Sequence, residues 1–571
     1  MSSIKTKTEI AEVMVREAIA RHVTERDVFF RVVQDVARSH CVQMPPVRKL
    51  LAAYRAVIRE NPKLADTAIE TFLTKSRVRS LSGVAVVTVL TKPYPCPGKC
   101  VYCPDDRSMP KSYLPNEPAA MRAAAHKFDP FGQVTQRLRA LTANGHPADK
   151  IELIVKGGTW SAYPRKYQQE FIKDCFDACN SFGGRKSTSD DLAGAHKKNE
   201  SARYRVIGLT LETRPDRITP QEIVQLRELG CTRIEMGVQS VDDAILKTCR
   251  RGHDSAAVVK ATRLLKDAGY KCDYHMMPQL PGASPKSDER QLKRIFEDPD
   301  YRPDMLKIYP CTVLKKSPLH RWWKDGRYKP YPNSRLKEVI IAAKQAVPRY
   351  CRISRIIRDI PSDSICAGNP VTSLRQVIQR EMKERGLSCD CLRCREIGRK
   401  LQENPNLAHS PTLTFDDTYE ASGGEEHFLS IEDPGRQAVF AFCRLRLPAT
   451  VSCLEQSTTA SLTPPSPVTG QNAGKRGKTG QDELNVNHPS PSTAFLRELH
   501  TYGHLVPIDK KNPDAAQHKG YGKRLMAEAE RITHKAGFRK MAVISGIGVR
   551  AYYRKLGYRL RDTYMVKTLR E

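Results

Sequence analysis

Three cysteines fall in one short stretch, Pro95-Cys96-Pro-Gly-Lys-Cys100-Val-Tyr102-Cys103-Pro104, with the spacing C-x3-C-x2-C. Gly98 and the neighbouring prolines hold the segment open as a loop. Three thiolates on one tight loop can bind three irons of a four-iron cluster and leave the fourth iron free. At that open iron S-adenosylmethionine can chelate and be cleaved reductively to a 5′-deoxyadenosyl radical. The competing uses are a zinc knuckle, which usually wants a fourth Cys or His nearby, and unrelated structural thiols. The aromatic Tyr102 between the last two cysteines favours the cluster.

A second constellation, Cys389-Asp-Cys391-Leu-Arg-Cys394, sets three thiolates where one more ligand would complete a Zn2+ site clamping a domain junction. Cys311, Cys351, Cys366 and His409 are the candidates for that ligand, and free thiols are the alternative. Near the C-terminus, Gln517-His-Lys-Gly520-Tyr521-Gly522-Lys523 opens a helix with the apolar face Leu525, Met526, Ala529 and Ile532. Glycines at a helix N-terminus expose backbone N–H groups, a cradle for pyrophosphate. Arg550-Ala-Tyr552-Tyr553 through Gly557-Tyr558 follows. A tyrosine there could protonate a departing thiolate or hydrogen-bond an acyl group; packing in the core is the plain reading, above all for Tyr552.

The elements that must position these residues read as follows. Residues 1–80 carry helical periodicity over Glu9–Val23, Glu25–Ser39 and Val47–Glu60, and end in the basic Lys75-Ser-Arg77-Val-Arg79, a candidate for gripping phosphates. From Gly83 to Ile360 strand and helix alternate. Apolar runs at Val84–Leu90, Ile151–Val155, Val206–Leu211, Arg233–Val238, Cys272–Met277 and Met305–Tyr309 are separated by helical stretches, several closed by glycine as at Gly230 and Gly269. Six βα units predict a parallel sheet with helices outside and chemistry at the C-terminal strand ends.

The notable residues fall at those ends: the cluster loop after the first strand, Gly157-Gly158-Thr159 after the second, Glu212-Thr-Arg214-Pro-Asp216 after the third and Gln239-Ser240 after the fourth. Paired glycines can be a tight turn, or can let backbone carbonyls approach the ammonium of a bound methionine. Glu212 or Arg214 reads as a ligand contact or a surface ion pair, and Gln239 as a ribose partner. Residues 186–203 read as a polar, mobile insertion. Residues 451–492, rich in Ser, Thr, Pro, Gly and Lys, read as a disordered loop inserted within a domain. The expected division is a helical region over 1–80, a barrel over 81–360, a Cys-rich linker over 361–410 and a closing domain over 411–571.

Composition bounds the rest. A chain of 571 residues is too long for one core. No apolar run approaches membrane-spanning length, and Glu9, Glu12 and Glu17 with no apolar signal core argue against a leader, so a cytoplasmic protein is expected. Seventeen Cys in such a chain read as thiols and metal ligands, not disulfides. Lys+Arg 95 against Asp+Glu 63 gives a net charge of +32, which suggests a polyanionic partner or a solvated basic surface.

The combination resembles the Elongator protein 3 family, in which a radical S-adenosylmethionine barrel is fused to an N-acetyltransferase (GNAT) module. The motifs that carry it are the cluster loop, Ile154-Val-Lys-Gly-Gly-Thr159, Glu212 to Asp216, Gly237-Val-Gln-Ser240, Arg251-Gly-His253, His275-Met-Met-Pro278, Val543-Ile-Ser-Gly546 and Tyr552-Tyr-Arg-Lys555. It runs from Lys75 to the C-terminus and is far weaker over residues 1–70. It implies an α/β architecture, a partial (βα)6 barrel with a helical N-terminal region and a C-terminal acetyltransferase domain. It also implies an enzyme forming the 5-carboxymethyl group on wobble uridine 34 of tRNA, gripping the anticodon stem-loop, alone, as a homodimer or with Elongator-like accessory subunits.

By that resemblance Cys96, Cys100 and Cys103 bind a [4Fe-4S] cluster. Gly157, Gly158, Thr159, Glu212 and Gln239 contact S-adenosylmethionine. Glu498, Leu499, His500 and Thr501 form the acetyl-CoA strand, Gln517, Gly520, Tyr521, Gly522 and Lys523 the pyrophosphate loop, Tyr553 the late tyrosine, and Lys150 a further acetyl-CoA contact. The radical would take hydrogen from the acetyl methyl, the carbon radical would add to C5 of uridine, and oxidation and thioester hydrolysis would follow. The cysteine spacings look like single-protein bacterial or archaeal members. Asp105-Asp106 stands where the family usually has Gly-Gly, and the 451–492 insertion is unusually long. The rivals are a protein lysine acetyltransferase whose barrel is a vestigial RNA-docking platform, and a non-catalytic tRNA-binding scaffold. The intact cluster cysteines speak against both.

Overall fold

The computed structural model describes residues 7–74, 82–448, 493–502 and 520–569, so the basic cluster 75–79, the loop 451–492 and Gln517 lie outside the described residues. The central feature is a seven-stranded parallel sheet in the order β1-β2-β3-β4-β5-β6-β8. Its strands are β1 (Ala85–Leu90), β2 (Lys150–Lys156), β3 (Arg205–Thr213), β4 (Arg233–Gln239), β5 (Lys271–Met276), β6 (Met305–Ile308) and β8 (Arg352–Arg355). A short antiparallel pair, β7 (Val313–Leu314) with β9 (Ile365–Ala367), sits apart from it. The seventh parallel strand goes beyond the six expected: Arg-Ile-Ser-Arg is too short and too charged to stand out as an apolar run.

The helices between strands start and stop where the sequence signals them. Asp129 accepts from Gly132 N, Thr219 from Glu222 N, and Ser284 forms a capping box with Ser287, each followed by proline in the first turn. Gly230 (φ 84°) and Gly269 (φ 80°) end two of them in the left-handed region. One expectation is corrected: residues 186–203 are not a mobile insertion. Leu192–Asn199 is a helix capped by Asp191, and Asn199 is fully buried, bonding Asn180, the Tyr204 carbonyl and the Val206 amide. Asn199 satisfies polar groups inside the fold, a use that composition does not reveal.

The N-terminal helices Lys7–Ala20, Arg26–Ser39 and Val47–Glu60 pack around Met14, Phe29, Val33, Leu50 and Tyr54 as a separate core. At the other end lies a second seven-stranded sheet, β10 (Leu413–Ala421), β11 (Gly424–Glu432), β12 (Val439–Pro448), β13 (Thr493–Thr501), β14 (Lys540–Val543), β15 (Arg559–Arg561) and β16 (Tyr564–Thr568), in the order β10-β11-β12-β13-β14-β16-β15. Only its β13–β14 pair is parallel. No helix among the described residues is long and apolar enough to cross a membrane.

The two sheets are joined through buried charge. Arg497 donates to Asp304 (2.5 and 2.9 Å), to Glu426 (2.9 and 3.1 Å) and to the Tyr270 carbonyl (2.6 Å). Arg446 reaches Asp267 (2.6 and 2.8 Å) and Glu426 (3.1 Å), while Arg444 and Lys271 share Glu498 at 2.9 and 3.2 Å. Gly546 and Gly548 press directly on β3: a Cβ on Gly546 would stand 2.0 Å from the Ile207 carbonyl oxygen.

Removing one member of such a network strands its partners. Asp304→Ala should cost about 3–5 kcal/mol, read as a lower urea midpoint. Burial alone would raise the Glu498 carboxyl, but Lys271, Arg444 and His500 bring it from 4.5 down to about 2. A depressed carboxylate contributes stability that is complete above its unfolded value and lost as pH falls through its folded one. The urea midpoint should therefore hold from neutral pH to about 4.5 and fall toward 2, and Glu498→Gln should remove part of that slope.

Candidate active site

The cluster loop leaves the C-terminal end of β1 and is held by arginines from two neighbouring loops, Arg214 just past β3 and Arg251 between the helices Asp243–Thr248 and Ser255–Asp267. Arg251 donates to the Cys100 sulfur at 3.4 Å and to the Gly237 carbonyl. Arg214, pinned by Asp216 at 2.8 Å, lies so close to the loop that a Cβ on Gly98 would stand 2.4 Å from its Nη1. A side chain at 98 would have to displace the Arg214 guanidinium. Arg214 does form an ion pair, with Asp216, but is buried beside the loop and not on the surface. Burial raises the Cys100 thiol, and the charge and hydrogen bond of Arg251, with help from Tyr102 and Arg214, more than offset it, so the group sits below its ordinary value.

Cys96 lies 3.5 Å from the Thr159 hydroxyl at the end of β2. Just before it, Gly157 (φ 141°) and Gly158 (φ 93°) adopt backbone that side chains avoid, and a Cβ on Gly157 would overlap the Thr91 hydroxyl at 1.8 Å. Gln239, at the end of β4, holds the left-handed region (φ 71°) without being glycine, and its buried Oε1 has no hydrogen-bond partner among the described residues. A strained backbone beside an orphaned acceptor is the mark of a group poised for a ligand.

Alternation along the strands turns every second residue into the barrel. Barrels usually fill that space with branched apolar side chains; here it carries Glu152, Lys156, Glu212, Glu235, His275 and Lys307. Glu235, fully buried, contacts Lys156 and Lys307 and lies 3.0 Å from His275. Burial would raise Glu212, but Lys156, His275, Lys307 and Arg358 hold it at about 2. Lower down, Arg233 pairs with Glu152 at 2.7 Å. Lys150 shares the bore-facing side of β2, one step beyond Glu152, and burial pushes its ammonium down against the opposing Asp149.

The bore opens onto the second sheet. A single cavity of about 470 Å³ is lined by Cys96, Cys100 and Cys103 and also by Glu498, His500 and Tyr502 of β13 and its end. His500 Nε2 lies 2.9 Å from the Ser82 carbonyl before β1. A bulge at Arg497 turns both Arg497 and Glu498 toward the barrel. The parallel β13–β14 pair ends its register at Leu496–Val543, so β13 runs on through Leu499 and Thr501 without a neighbour on that side, a wedge suited to an extended ligand chain.

Beside that wedge, Gly520 (φ 77°) turns the chain into the helix Tyr521–Lys535. A Cβ on Gly522 would meet the Tyr552 hydroxyl at 2.8 Å and the Leu499 side chain at 3.9 Å. The two tyrosines divide differently from the plain reading: Tyr553 is buried against Tyr552 and Tyr558, and Tyr552 stays half-buried with its phenol over the Gly522 turn.

Cys389, Cys391 and Cys394 hold their sulfur atoms within 4.8 Å of one another, the one such group of His, Cys, Asp or Glu among the described residues. None of the four candidates for a further ligand joins them. The buried Lys344 ammonium stands 3.8 Å from the Cys394 sulfur, supplying charge instead. The cluster-loop cysteines do not form such a tight set, as suits thiolates that bind separate irons. The residues sequence reasoning passed over are the bore charges Lys156, Glu235, Asp273 and Lys307. Their signal was available: ionisable residues inside otherwise apolar strands are retained only where partners or ligands await them.

Residues 94–289 match the Radical SAM superfamily, and 303–384 the Radical_SAM C-terminal domain. A tRNA uridine(34) acetyltransferase of Dehalococcoides mccartyi is 42% identical over 87% of this chain and 100% of its own length. The human Elongator complex protein 3 is 36% identical over 98% of this chain and 96% of its own, so likeness extends into the N-terminal helices. The solved structure of the archaeal Methanocaldococcus infernus Elp3 with an N-terminal deletion superposes with a TM-score of 0.69 at 39% identity, covering 86% of this chain and 100% of that one. Identity of this extent, together with the cysteine loop and the doubled architecture, makes the chain a member of the Elongator protein 3 family of radical S-adenosylmethionine enzymes.

Proposed function

We propose that the protein forms the 5-carboxymethyl group on the wobble uridine of tRNA, with acetyl-CoA as carbon donor. The observation that carries this is the shared cavity, which meets the three cluster cysteines and the β13 residues Glu498 and His500. A lysine acetyltransferase would need its thioester to face a protein surface; here the same residues face a barrel bore. The names of the relatives, tRNA uridine(34) acetyltransferase and Elongator complex protein 3, point the same way.

When bound, the cluster and S-adenosylmethionine supply the radical that activates the acetyl methyl for attachment to C5 of uridine. The residues of the chain do the rest. Arg251 and Arg214 hold Cys100 and the loop in place. The Gly157-Gly158 backbone, Glu212 and Gln239 offer acceptors for the ammonium and hydroxyls of S-adenosylmethionine. The N–H groups at Tyr521, Gly522 and Lys523, with Gln517, cradle the pyrophosphate of coenzyme A. Unpaired β13 at Leu499 to Thr501 receives its pantetheine arm, with Lys150 beyond Glu152 as a further contact. Tyr552, half-buried over the Gly522 turn, is set to contact the coenzyme near its pyrophosphate, and Tyr553, the late tyrosine of the resemblance, is buried behind it and supports that contact. The basic N-terminal helices and the net charge of +32 suit an RNA backbone, in the cytoplasm, and a base there must leave its stack to react.

The three convergent thiolates support a Zn2+ held by Cys389, Cys391 and Cys394, with its fourth position filled from outside this group.

Anaerobically reconstituted protein with tRNA, acetyl-CoA, S-adenosylmethionine and reductant should yield 5-carboxymethyluridine by mass spectrometry of digested tRNA, and Cys100→Ala should yield none. Acetyl-CoA consumed in air without S-adenosylmethionine, and no modified uridine with a loaded cluster, would replace this reading with the lysine acetyltransferase. Purified protein should carry about one zinc per chain by elemental analysis, as a three-thiolate site predicts, and Cys391→Ser should release it and lower the melting temperature.

A further inference from the structure

Beside the cluster loop stands the helix Pro318–Lys324, Pro-Leu-His-Arg-Trp-Trp-Lys, which the reaction as described leaves without a role. It is fastened to that loop from both sides. Leu319 N donates to the carbonyl of Val101, between two cluster cysteines, at 2.8 Å, and Asp105 N donates to the Lys316 carbonyl at 2.9 Å. Leu319 and Tyr328 share a small core with Val101, and Tyr102, Trp322 and Trp323 pack at its edge.

What this segment turns outward is unusual. Trp322 and Trp323 are only half-buried, although a short helix on a core could have hidden them. The Arg327 guanidinium lies 5.2 Å over the Trp322 ring, and His320 lies 5.8 Å from Trp323. Residues 315–329 hold six cations, Lys315, Lys316, Arg321, Lys324, Arg327 and Lys329, against the single carboxylate of Asp325. Lys315, Arg321, Lys324 and Lys329 are exposed and make no ion pair among the described residues. Half-buried indole rings that keep part of their surface open, interleaved with unneutralised cations, are what single-stranded nucleic acid needs: rings for bases to stack on, charge for the phosphates between them. A protein partner would want fewer unpaired cations at the centre of its patch.

We infer that Trp322 and Trp323, with Arg321 and Lys324, form a stacking platform for unpaired bases of the tRNA anticodon loop next to the target uridine. The inference rests on the tRNA reading above. Because the helix is bonded to the backbone between Cys100 and Cys103, bases held on it are set in register with the cluster. The platform takes its bases by stacking and so tolerates different sequences, as a surface serving several tRNAs must.

The chain has three tryptophans, and the third, Trp160, is buried, so indole fluorescence reports on this surface once Trp160→Phe removes the background. In that background, an anticodon stem-loop RNA should quench the fluorescence, and the same stem closed by a fully paired end should not. Trp322→Ala with Trp323→Ala should weaken filter binding of the labelled stem-loop by roughly 10- to 100-fold. Trp322→Phe with Trp323→Phe should restore most of it, which a merely misfolded helix would not. Arg321→Glu with Lys324→Glu should flatten the dependence of log affinity on log salt by about 0.7 per lost contact.

Stem-loop binding that leaves the fluorescence unchanged and survives the alanine pair overturns the platform and spares the tRNA reading. Absence of any RNA binding overturns both. Quenching by polyglutamate as strong as by RNA reassigns the surface to an acidic protein partner.

Discussion

Everything that distinguishes this molecule depends on the carboxylate of Asp304. It sits fully buried just before β6, takes the Cys272 amide at 2.8 Å, and receives both terminal nitrogens of Arg497 from the other sheet. Burial would raise that carboxyl; Arg497, Lys266 and Arg444 together hold it far below the carboxylate range. A bidentate arginine is planar and directional, so the contact fixes orientation as well as distance. An apolar interface of the same area could have slid. This one cannot slide without stranding charge, and the shared cavity lies between the parts it holds together.

The polar bore follows from the same constraint. A barrel floor sealed by Val, Leu and Ile would have separated the cluster loop from β13. Replacing that filling with opposed charges leaves space while keeping each group neutralised: Glu235 between Lys156, Lys307 and His275, and Glu152 against Arg233. The cost of burying charge is met by pairing, and these pairs, away from bulk solvent, are stronger than they would be at the surface. The bore is thus both part of the frame that holds the two ends together and the passage between them.

Much of this was legible in the residues. The six apolar strands, their intervening helices and the glycine stops at Gly230 and Gly269 were readable because period and capping are local properties. The cysteine loop was readable because three ligands fell within eight residues. What escaped was non-local. The four-residue strand Arg352–Arg355 is defined by its pairing with β6, not by its own composition. The helix Leu192–Asn199 looks in sequence like solvent-loving chain, yet Asn199 bonds both the preceding helix, at Asn180, and the start of β3, at Tyr204 and Val206. Glu498 and His500 could be matched to a strand, but that they face a barrel depends on the bulge at Arg497, which no periodicity announces.

The departure at Asp105-Asp106 shows how such a non-local reading changes a local one. In sequence the two aspartates are notable only for standing where the family usually has Gly-Gly, just past the last cluster cysteine. In the fold each has its own cation: Asp105 pairs with Lys111 at 2.9 Å, and Asp106 with Lys316 while also accepting from the Ser108 amide and hydroxyl. Those bonds bring Asp106 down to about 2, the Lys316 contact contributing most, so it stays ionised and bonded at any physiological pH. A pair of glycines at the same place would leave the turn free to move. Asp106 instead ties the end of the cluster loop to the segment that begins the tryptophan helix, while Asp105 ties it to Lys111 within the loop that follows, and between them they fix its rim.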